Sequence, residues 1–441
     1  MSHSLQSARL ARRSLLRLCA GVALGAPIAA RAGDADEALM RELRQAARRG
    51  GAVKLRPGVT QIRSLELPPG ATLVGGPAST LRLVGPGPLL HARGGRSITI
   101  ENVVLEGEGG SLERDRGLLE FEDIPELSLR GCAIRNSKAH GISLRRCGGV
   151  FAQNRVERAR HAGYKSVDGL GMEVEGNRFG DCGDNGVLVW TSAEGAYEGS
   201  RLRNNLIEDI HNFSGGDGPY GNGIGVYRAG SVRVENNRIR RCAYSAVRCA
   251  GAHDALVEGN DCQGLGERAM YAEFGAKRVS FRNNRIDDAG AGIGIANSDR
   301  GTDFGVATGN VITGLRPKHP DVEFGPKMFW LSGVEGEKNC EISGNRIIGP
   351  AWIGVALGGW RQNVRVEDNF IQDADYGIVF ATGPDVGSGV IAGNRIFGSR
   401  KAAISAFAGP EPVGGDLLAP GGGGRHPRLV VSGNQTEAGA R

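Results

Sequence analysis

Apolar and polar positions along this chain repeat with a period of about two dozen residues. In each unit an apolar residue stands three positions before an asparagine, and almost every unit places another two positions after it. These marker asparagines are Asn154, Asn177, Asn205, Asn237, Asn260, Asn284, Asn310, Asn345, Asn369, Asn394 and Asn434. Most intervals between them are 23 to 28 residues, and the longer ones, up to 40 residues, predict insertions within the unit.

Each unit is predicted to form three short β-strands separated by turns. Two strands flank the marker, and a third follows a Gly or Ala eight or nine residues later, as in 186–189, 354–357 and 377–380. Helical repeats are disfavoured because the units are short, interrupted by Gly and rich in β-branched residues at apolar positions. The pattern therefore predicts an all-β fold, a right-handed single-stranded parallel β-helix with three short strands per coil.

The marker asparagines are interpreted as turn residues. Asparagine tolerates a left-handed backbone, and its side chain can satisfy the hydrogen-bonding groups of a turn. Stacked coil upon coil, the side-chain amides are predicted to form a hydrogen-bonded ladder along the axis. This structural interpretation is favoured over one in which the asparagines bind a ligand.

The two ends of such a column need caps, because each exposes unpaired strand edges. Residues 33–50 predict an amphipathic cap helix, since Ala38, Leu39, Leu43 and Ala46 recur at helical spacing. Residues 51–441 form the predicted repeat domain, and the insertions fall near 191–200, 211–222 and 314–326, with a Gly/Pro-rich loop at 409–427.

Residues 1–32 are predicted to be a twin-arginine signal peptide. The pair Arg12-Arg13 precedes a short apolar run, which ends at the small-x-small site 30–32. We therefore expect export to the periplasm or beyond, with the twin-arginine translocase as a transient partner. The run is too short for a stable membrane span.

Composition limits the possible partners and cofactors but does not indicate a functional site. The formal charge of +6 includes five leader arginines without any leader acid or lysine, so the remaining chain carries +1 and gives no charge argument for nucleic acid. Seven cysteines remain outside the leader, an odd number without close spacing, and their pairing stays open. Cys182 and Cys242 occupy apolar places and are predicted to be buried. The calcium-binding nonapeptide is absent, so no cofactor is evident, and a calcium site has no motif to support it.

Candidate chemistry concentrates on the outward positions of the third strand between Asn154 and Asn284. The residues predicted to line this groove are Lys165, Trp190, Tyr227, Arg248, Tyr271 and Glu273. Later coils show small or apolar residues at the counted positions, including Gly294, Ala296, Ala356 and Val379. Two of the insertions, 191–200 and 211–222, fall in the same stretch, and the second brings Asp217 and Tyr220.

These side chains suit sugar chemistry. Aromatic residues such as Trp190, Tyr220 and Tyr227 would bind sugar rings, and Arg248 would pair with a uronate carboxylate. Tyr271 or Lys165 would act as base in β-elimination, whereas Glu273 with Asp217 would form a glycosidase pair. The alternative is a surface ion pair between Arg248 and Glu273. His140, His161 and His211 are interpreted as solvated turn residues.

The leader and the coils together resemble the pectin-lyase-like right-handed β-helices, and within them the twin-arginine-translocated repetitive proteins of bacteria. Stretches 216–223 and 271–275 carry the narrower resemblance. The wider superfamily implies polysaccharide lyases, hydrolases and epimerases that bind along a groove over the first parallel sheet, whose floor here is the Gly-Ile-x-Val strand. The known catalytic motifs, such as Asn-Thr-Asp, Gly-His-Gly and Asp-Pro-His, are not recognisable.

Two functions therefore stay open at this point. The first is an exported polysaccharide lyase or glycoside hydrolase acting on an acidic polymer. The second is a non-catalytic cell-envelope protein that binds glycans. The sequence does not fix the polymer, the linkage or the oligomeric state.

Overall fold

The computed structural model describes residues 32–76, 78–216, 218–295, 304–316, 331–350, 352–382, 387–409, 411–419 and 428–436. One helix, α1 (Ala32–Arg48), precedes a column of coils in which three sheets of 15 strands each run along the axis, all parallel except at the last strand of the third sheet. This confirms the predicted parallel β-helix with three short strands per coil. The signal-peptide prediction for 1–32 lies outside the described residues except at its last position.

The first sheet contains the strand that precedes each marker asparagine. Its strands are β1 (Val53–Lys54), β4 (Thr72–Val74), β7 (Ser97–Glu101), β10 (Glu126–Arg130), β13 (Gly149–Ala152), β16 (Glu173–Glu175), β20 (Arg201–Arg203), β24 (Arg233–Glu235), β27 (Leu256–Glu258), β30 (Ser280–Arg282), β33 (Val306–Thr308), β36 (Glu341–Ser343), β39 (Val364–Glu367), β42 (Gly389–Ala392) and β46 (Leu429–Ser432).

The second sheet contains the strand that follows the marker. Its strands are β2 (Gly58–Ile62), β5 (Ser79–Pro86), β8 (Val104–Ser111), β11 (Ala133–Arg135), β14 (Arg155–Glu157), β17 (Arg178–Cys182), β21 (Leu206–Ile210), β25 (Arg238–Cys242), β28 (Asp261–Gln263), β31 (Arg285–Asp287), β34 (Val311–Thr313), β37 (Arg346–Ile348), β40 (Phe370–Gln372), β43 (Arg395–Phe397) and β47 (Gln435–Thr436).

The third sheet closes each coil. Its strands are β3 (Leu65–Glu66), β6 (Leu90–Arg93), β9 (Gly117–Glu122), β12 (His140–Arg145), β15 (Ala162–Val167), β18 (Asn185–Trp190), β22 (Asn222–Tyr227), β26 (Val247–Ala250), β29 (Arg268–Glu273), β32 (Ala291–Ile295), β35 (Ser332–Lys338), β38 (Ile353–Gln362), β41 (Tyr376–Ala381), β44 (Ala402–Ala408) and β45 (Glu411–Pro412). A separate two-stranded sheet pairs β19 (Ala196–Tyr197) with β23 (Ala229–Gly230).

Each coil stacks on the next with the same register, so equivalent residues form columns along the axis. Ile207 pairs with Ile239, and Val174 pairs with Leu202, and all four side chains are buried. Long insertions leave this register unchanged, because they enter at turns. The inward columns give one continuous apolar core, which is the main stabilising contribution of the fold.

The marker asparagines form a buried ladder between the first and second sheets. Asn205 shows the geometry: its Oδ1 accepts from the backbone N–H and Nδ2 of Asn177 at 2.9 and 3.0 Å, and its Nδ2 donates to the Val174 carbonyl at 2.9 Å. The left-handed residue predicted at the marker lies one position earlier, as at Asn204 with φ 56°. The reason is that the marker side chain points inward along the axis, and the preceding residue makes the turn.

A helix covers the N-terminal end of the column, and a reversed strand pairs with the last edge of the third sheet. In α1, Leu39 and Leu43 are buried against the first coils, which confirms the predicted cap helix. At the other end, β45 runs antiparallel to β44, and Phe407 lies opposite Pro412. The predicted Gly/Pro-rich segment 409–427 therefore begins with a short strand that folds back on the third sheet.

The cysteines belong to the core. Seven cysteines are free thiols and buried, among them Cys182 and Cys242, as predicted for these two. Burial raises the pKa of the Cys132 thiol to about 11, so it is protonated at neutral pH. Within the described residues, no helix is both long and apolar enough to cross a bilayer.

Candidate functional site

The third sheet contains the Gly-Ile-x-Val strands, so it corresponds to the sheet that the superfamily resemblance terms the first parallel sheet. Its outward surface, called the groove face here, carries most of the predicted site residues. Register places one column of side chains along it: Glu120, Ser143, Lys165, Leu188, Gly225, Arg248, Tyr271, Gly294 and Glu335. A second column, two residues further along each strand, contains Trp190, Tyr227, Ala250 and Glu273. Lys165 and Arg248 are three coils apart, about 14 Å.

Arg248, Tyr271 and Glu273 lie together, as the sequence predicted. The Arg248 guanidinium binds both carboxylate oxygens of Glu273, at 2.5 and 3.0 Å, and donates a third hydrogen bond to Glu267 at 3.1 Å. Its Cζ lies 5.4 Å from the ring centroid of Tyr271. All three predicted residues are buried, so the surface ion pair considered from the sequence is an interior one.

The sequence missed two members of this cluster, Arg268 and Glu335. The fully buried Arg268 donates from Nη2 to Glu335 at 2.5 Å, and its Cζ lies 5.2 Å from the Tyr271 ring on the side away from Arg248 along the column. Counting a fixed number of residues from the marker Asn310 does not identify Glu335 as an outward residue. The insertion after Asn310 moves the strand further along the sequence. Arg268 stands at the first position of its strand, before the counted outward sites.

Burial limits what this cluster does chemically. It raises the pKa of the Tyr271 phenol well above its usual value, which disfavours a phenolate base. It also raises the pKa of Glu335, although Arg268 opposes this. The Arg248 donors are bound by protein carboxylates, so a uronate would have to displace a buried ion pair. These residues support the groove face rather than present free charges to a polymer.

Lys165 occupies a different place, where two loops approach each other over the groove face. Its amine pairs with the exposed Asp115 at 3.7 Å, and burial lowers the pKa of the amine while Asp115 opposes the shift. Arg114 connects the loops, because its Nη2 donates to Ser214 Oγ at 3.0 Å and to the Tyr220 hydroxyl at 3.3 Å. The loops are 112–116 and 211–221. The cations Lys165 and Arg114 thus belong to one cluster.

Two histidines complete this cluster, and their predicted solvation is wrong. His140 is buried, and burial followed by repulsion from Lys165 lowers its pKa to about 3. Its Nδ1 accepts from the Ala162 backbone N–H at 3.1 Å, so Nε2 carries the proton of the neutral ring. His161 Nδ1 lies 2.7 Å from the buried Asp184, which also accepts from Ser214. His211 is more exposed and lies 2.8 Å from Asp181.

The aromatic residues lie beside these loops. Trp190 and Tyr227 pack edge to face with ring centroids 5.6 Å apart, and 42% of Tyr227 is exposed. Trp190 is one coil and two residues from Lys165, about 8 Å by strand geometry. Tyr220, on the loop, is partly exposed and lies under Arg114 at 5.8 Å. Aromatic rings that are at least partly exposed therefore share this part of the groove face with a cation.

Asp217, predicted as half of a glycosidase pair, lies outside the described residues, so that pairing stays a prediction. Its neighbour Gly218 packs against Arg248, because a Cβ at this glycine would lie 2.4 Å from Nη2. Asn222 Nδ2 donates to the Gly218 carbonyl at 2.8 Å, and Asn185 Nδ2 donates to that of Pro219 at 3.2 Å. These bonds hold the loop over the buried cluster.

No group of three or more His, Cys, Asp or Glu side chains is arranged for a metal within the described ranges.

A family profile for the right-handed beta helix region matches residues 87–207 and 196–317, which together span more than half of the chain. The chain belongs to this family. Among curated proteins, no significant sequence match was found for this beta helix protein.

Several solved structures resemble this beta helix protein. The N-terminal fragment of bacteriophage Phi29 gene product 12 has a TM-score of 0.53 at 12% identity, and the match covers 83% of this chain and 66% of that one. PfbA, a surface adhesin of Streptococcus pneumoniae, has a TM-score of 0.47 at 14% identity, over 87% and 91% of the two chains. A mannuronic acid specific polysaccharide family 6 lyase from human gut microbiota has 0.45 at 16%, over 82% and 84%. At 12% identity, the likeness to the Phi29 fragment shows the fold alone.

Proposed function

We propose that this protein is an exported β-helix protein that binds an acidic polysaccharide on the groove face at the Lys165 cluster. The observation that carries the proposal is the joining of the two loops by Arg114, which brings the exposed Arg114 and the buried Lys165 into one cluster with the partly exposed Tyr220 and near the exposed Tyr227. Cations bind uronate carboxylates, and aromatic rings bind sugar faces.

An open cleft adjoins the cluster. Next to it, His91, Arg93, Glu120 and Arg145 line a shallow open cleft of about 250 Å³ along the earlier coils. The floor between Lys165 and Arg248 is low, because Leu188 and Gly225 occupy it. The proposed path therefore runs along the axis from this cleft to the aromatic pair.

Binding of uronate-rich oligosaccharides by titration calorimetry tests the proposal. The double variant Lys165→Gln/Arg114→Gln should bind about tenfold more weakly, since two charge-assisted contacts are lost. Arg282→Gln/Arg365→Gln is the matched control, because both arginines are exposed on the first sheet and the charge change is equal. Equal affinities for the cluster variant and the control would exclude this site.

Cleavage by β-elimination is a second candidate, favoured by the lowered pKa of Lys165. A neutral amine would accept the proton at C5 of a uronate, and the leaving sugar oxygen would take a proton from solvent or a neighbouring acid. Lys165→Ala should abolish the ultraviolet absorbance of unsaturated uronate products, and wild-type activity should rise with pH as the amine loses its proton. If no uronan gives an absorbance change, cleavage by β-elimination is excluded and the non-catalytic glycan-binding function remains.

Export by the twin-arginine route is proposed from the leader. Replacement of the Arg12-Arg13 pair by two lysines should retain the protein in the cytoplasm, measured by fractionation of cells that express the full chain. Export of this variant at the wild-type level would indicate a different route. Membership in the narrower twin-arginine-translocated repetitive group stays part of this proposal.

A further inference from the structure

The second sheet carries a regular column of arginines on its outward face. The residue that follows each marker asparagine begins a strand of this sheet, and in six coils it is an exposed arginine: Arg155, Arg178, Arg238, Arg285, Arg346 and Arg395. Register places them in one straight column with Leu206, Asp261, Val311 and Phe370 between them. From Arg178 onward an arginine recurs at every second coil, about 9.6 Å.

The surroundings of these arginines differ along the column. Arg155 pairs with Glu157 at 2.5 Å and Arg178 pairs with Glu208 at 2.7 Å. Arg238 and Arg285 share the single carboxylate of Asp261, both at 3.7 Å, with the neighbouring Arg240 at 3.8 Å. Within the described residues, Arg346 and Arg395 have no carboxylate partner. The positive charge is therefore least compensated at the C-terminal end of the column.

Arg346 and Arg395 are held in place by an aromatic ring instead. Their Cζ atoms lie 4.3 and 5.9 Å from the ring centroid of Phe370, which itself packs edge to face on Phe397 at 5.7 Å. Stacking uses the flat face of a guanidinium and leaves its N–H edge available, because the donors lie in the plane. Since neither arginine has a carboxylate partner among the described residues, both guanidinium groups can bind an incoming carboxylate.

We propose that this column is a docking face for a linear acidic polysaccharide with one carboxylate per disaccharide. Two coil steps are about as long as one extended disaccharide, so successive carboxylates meet successive arginines. Nucleic acid fits less well, because its charges recur at about 3.4 Å along each strand, almost three times as densely as these arginines. This face would bind the same class of partner, an acidic polysaccharide, as the proposed function. It lies on a different sheet, however, and the proposal does not depend on the Lys165 cluster.

Titration calorimetry of the full chain with hyaluronan octasaccharide, at low salt, tests this face. Arg346→Gln/Arg395→Gln should weaken binding about fivefold, as expected for two exposed charge contacts. Arg282→Gln/Arg365→Gln, on the first sheet, changes the net charge equally and should leave the affinity unchanged. An equal loss in both variants, or a loss in neither, overturns the proposal.

A gain of affinity gives an independent check. Asp261→Asn removes the carboxylate shared by Arg238 and Arg285, so octasaccharide binding should tighten about twofold. The effect of Arg346→Gln/Arg395→Gln should also be the same in a Lys165→Gln/Arg114→Gln background, which separates this face from the groove face. Weaker binding by Asp261→Asn, or stronger binding of single-stranded DNA than of the octasaccharide to the same face, overturns the proposal.

Discussion

Lys165 and Arg248 are cations on the same sheet face, yet their surroundings differ. Both are buried, but Arg248 is bound by Glu273 and Glu267, whereas Lys165 pairs, among the described residues, only with Asp115, which is exposed. A buried guanidinium with two carboxylates stabilises a conformation. A single exposed partner leaves Lys165 less compensated. The sequence predicts that both face outward, but it does not show that both are buried or which carboxylates pair with them.

Breaking the buried ion pair should therefore affect stability more than binding. Arg248→Met leaves the Glu273 carboxylate buried without its main partner and is expected to destabilise the fold by about 3 kcal/mol. Urea unfolding followed by circular dichroism measures the loss. Arg248→Met/Glu273→Leu should recover much of it, and a double variant no more stable than the single one would contradict this account.

The buried His140 makes stability depend on pH. Its folded pKa of about 3 lies below the unfolded value, so only the unfolded chain takes up a proton as the pH falls below about 6.5. This linkage should cost about 2 kcal/mol between pH 6.5 and pH 5. His140→Asn keeps an acceptor for Ala162 and should flatten the profile relative to pH 8, where the histidine is neutral in both states. An unchanged slope would show that other groups cause the acid sensitivity.

At the level of strands and turns, the asparagine ladder is the most regular feature. Each marker side chain satisfies two backbone groups of the preceding coil, as Asn205 does for Asn177 and Val174. The asparagine pattern was recognisable in the sequence because the same turn recurs once in each coil, at a fixed distance from nearby apolar residues. The left-handed position was misplaced by one residue, since Gly, Asn, Asp or Gln precedes the marker and no single residue type identifies the position.

Loss of one ladder residue should be costly. Asn205→Ala removes the acceptor of Asn177 and leaves the Val174 carbonyl without its side-chain donor, so we expect a loss of about 3 kcal/mol in unfolding free energy. The neighbouring Asn204→Gly is the control, because glycine accepts the positive φ and the side chain is exposed. Similar unfolding midpoints for both variants would refute a buried structural ladder.

The candidate site was harder to predict than the fold for a physical reason. Arg114 and Ser214 are 100 residues apart in sequence, and the loops that carry them share no repeat pattern. Glu335 was hidden because an insertion displaced its strand from the counted position. Periodicity predicts which face a residue occupies, whereas it gives no information on what an irregular loop covers.

Across the whole molecule, each coil is stabilised by the coils next to it, so the two end coils are the most easily unfolded. In a stacked array each coil contacts only its neighbours, and opening begins where one neighbour is missing. The helix α1 supplies the missing neighbour at the first coil, through Leu39 and Leu43. Its loss exposes an apolar end and unpaired strands together.

Leu43→Ala should therefore weaken the N-terminal coils first. The side chain is fully buried, so we expect about 3 kcal/mol of local destabilisation. Hydrogen exchange followed by mass spectrometry should show faster exchange in β1 to β6 and little change beyond β20. A uniform increase along the chain would mean that the solenoid unfolds as a single cooperative unit.

The reversed strand β45 has a consequence for neighbouring molecules. A parallel sheet that simply stopped would offer its last edge as a template, and one solenoid could extend another into a fibre. Here the edge of the third sheet is occupied by a strand running the other way, and its Pro412 has no N–H to donate. An incoming parallel strand would meet a strand of the opposite direction that lacks one backbone donor. The third sheet is therefore protected against end-to-end polymerisation at this edge.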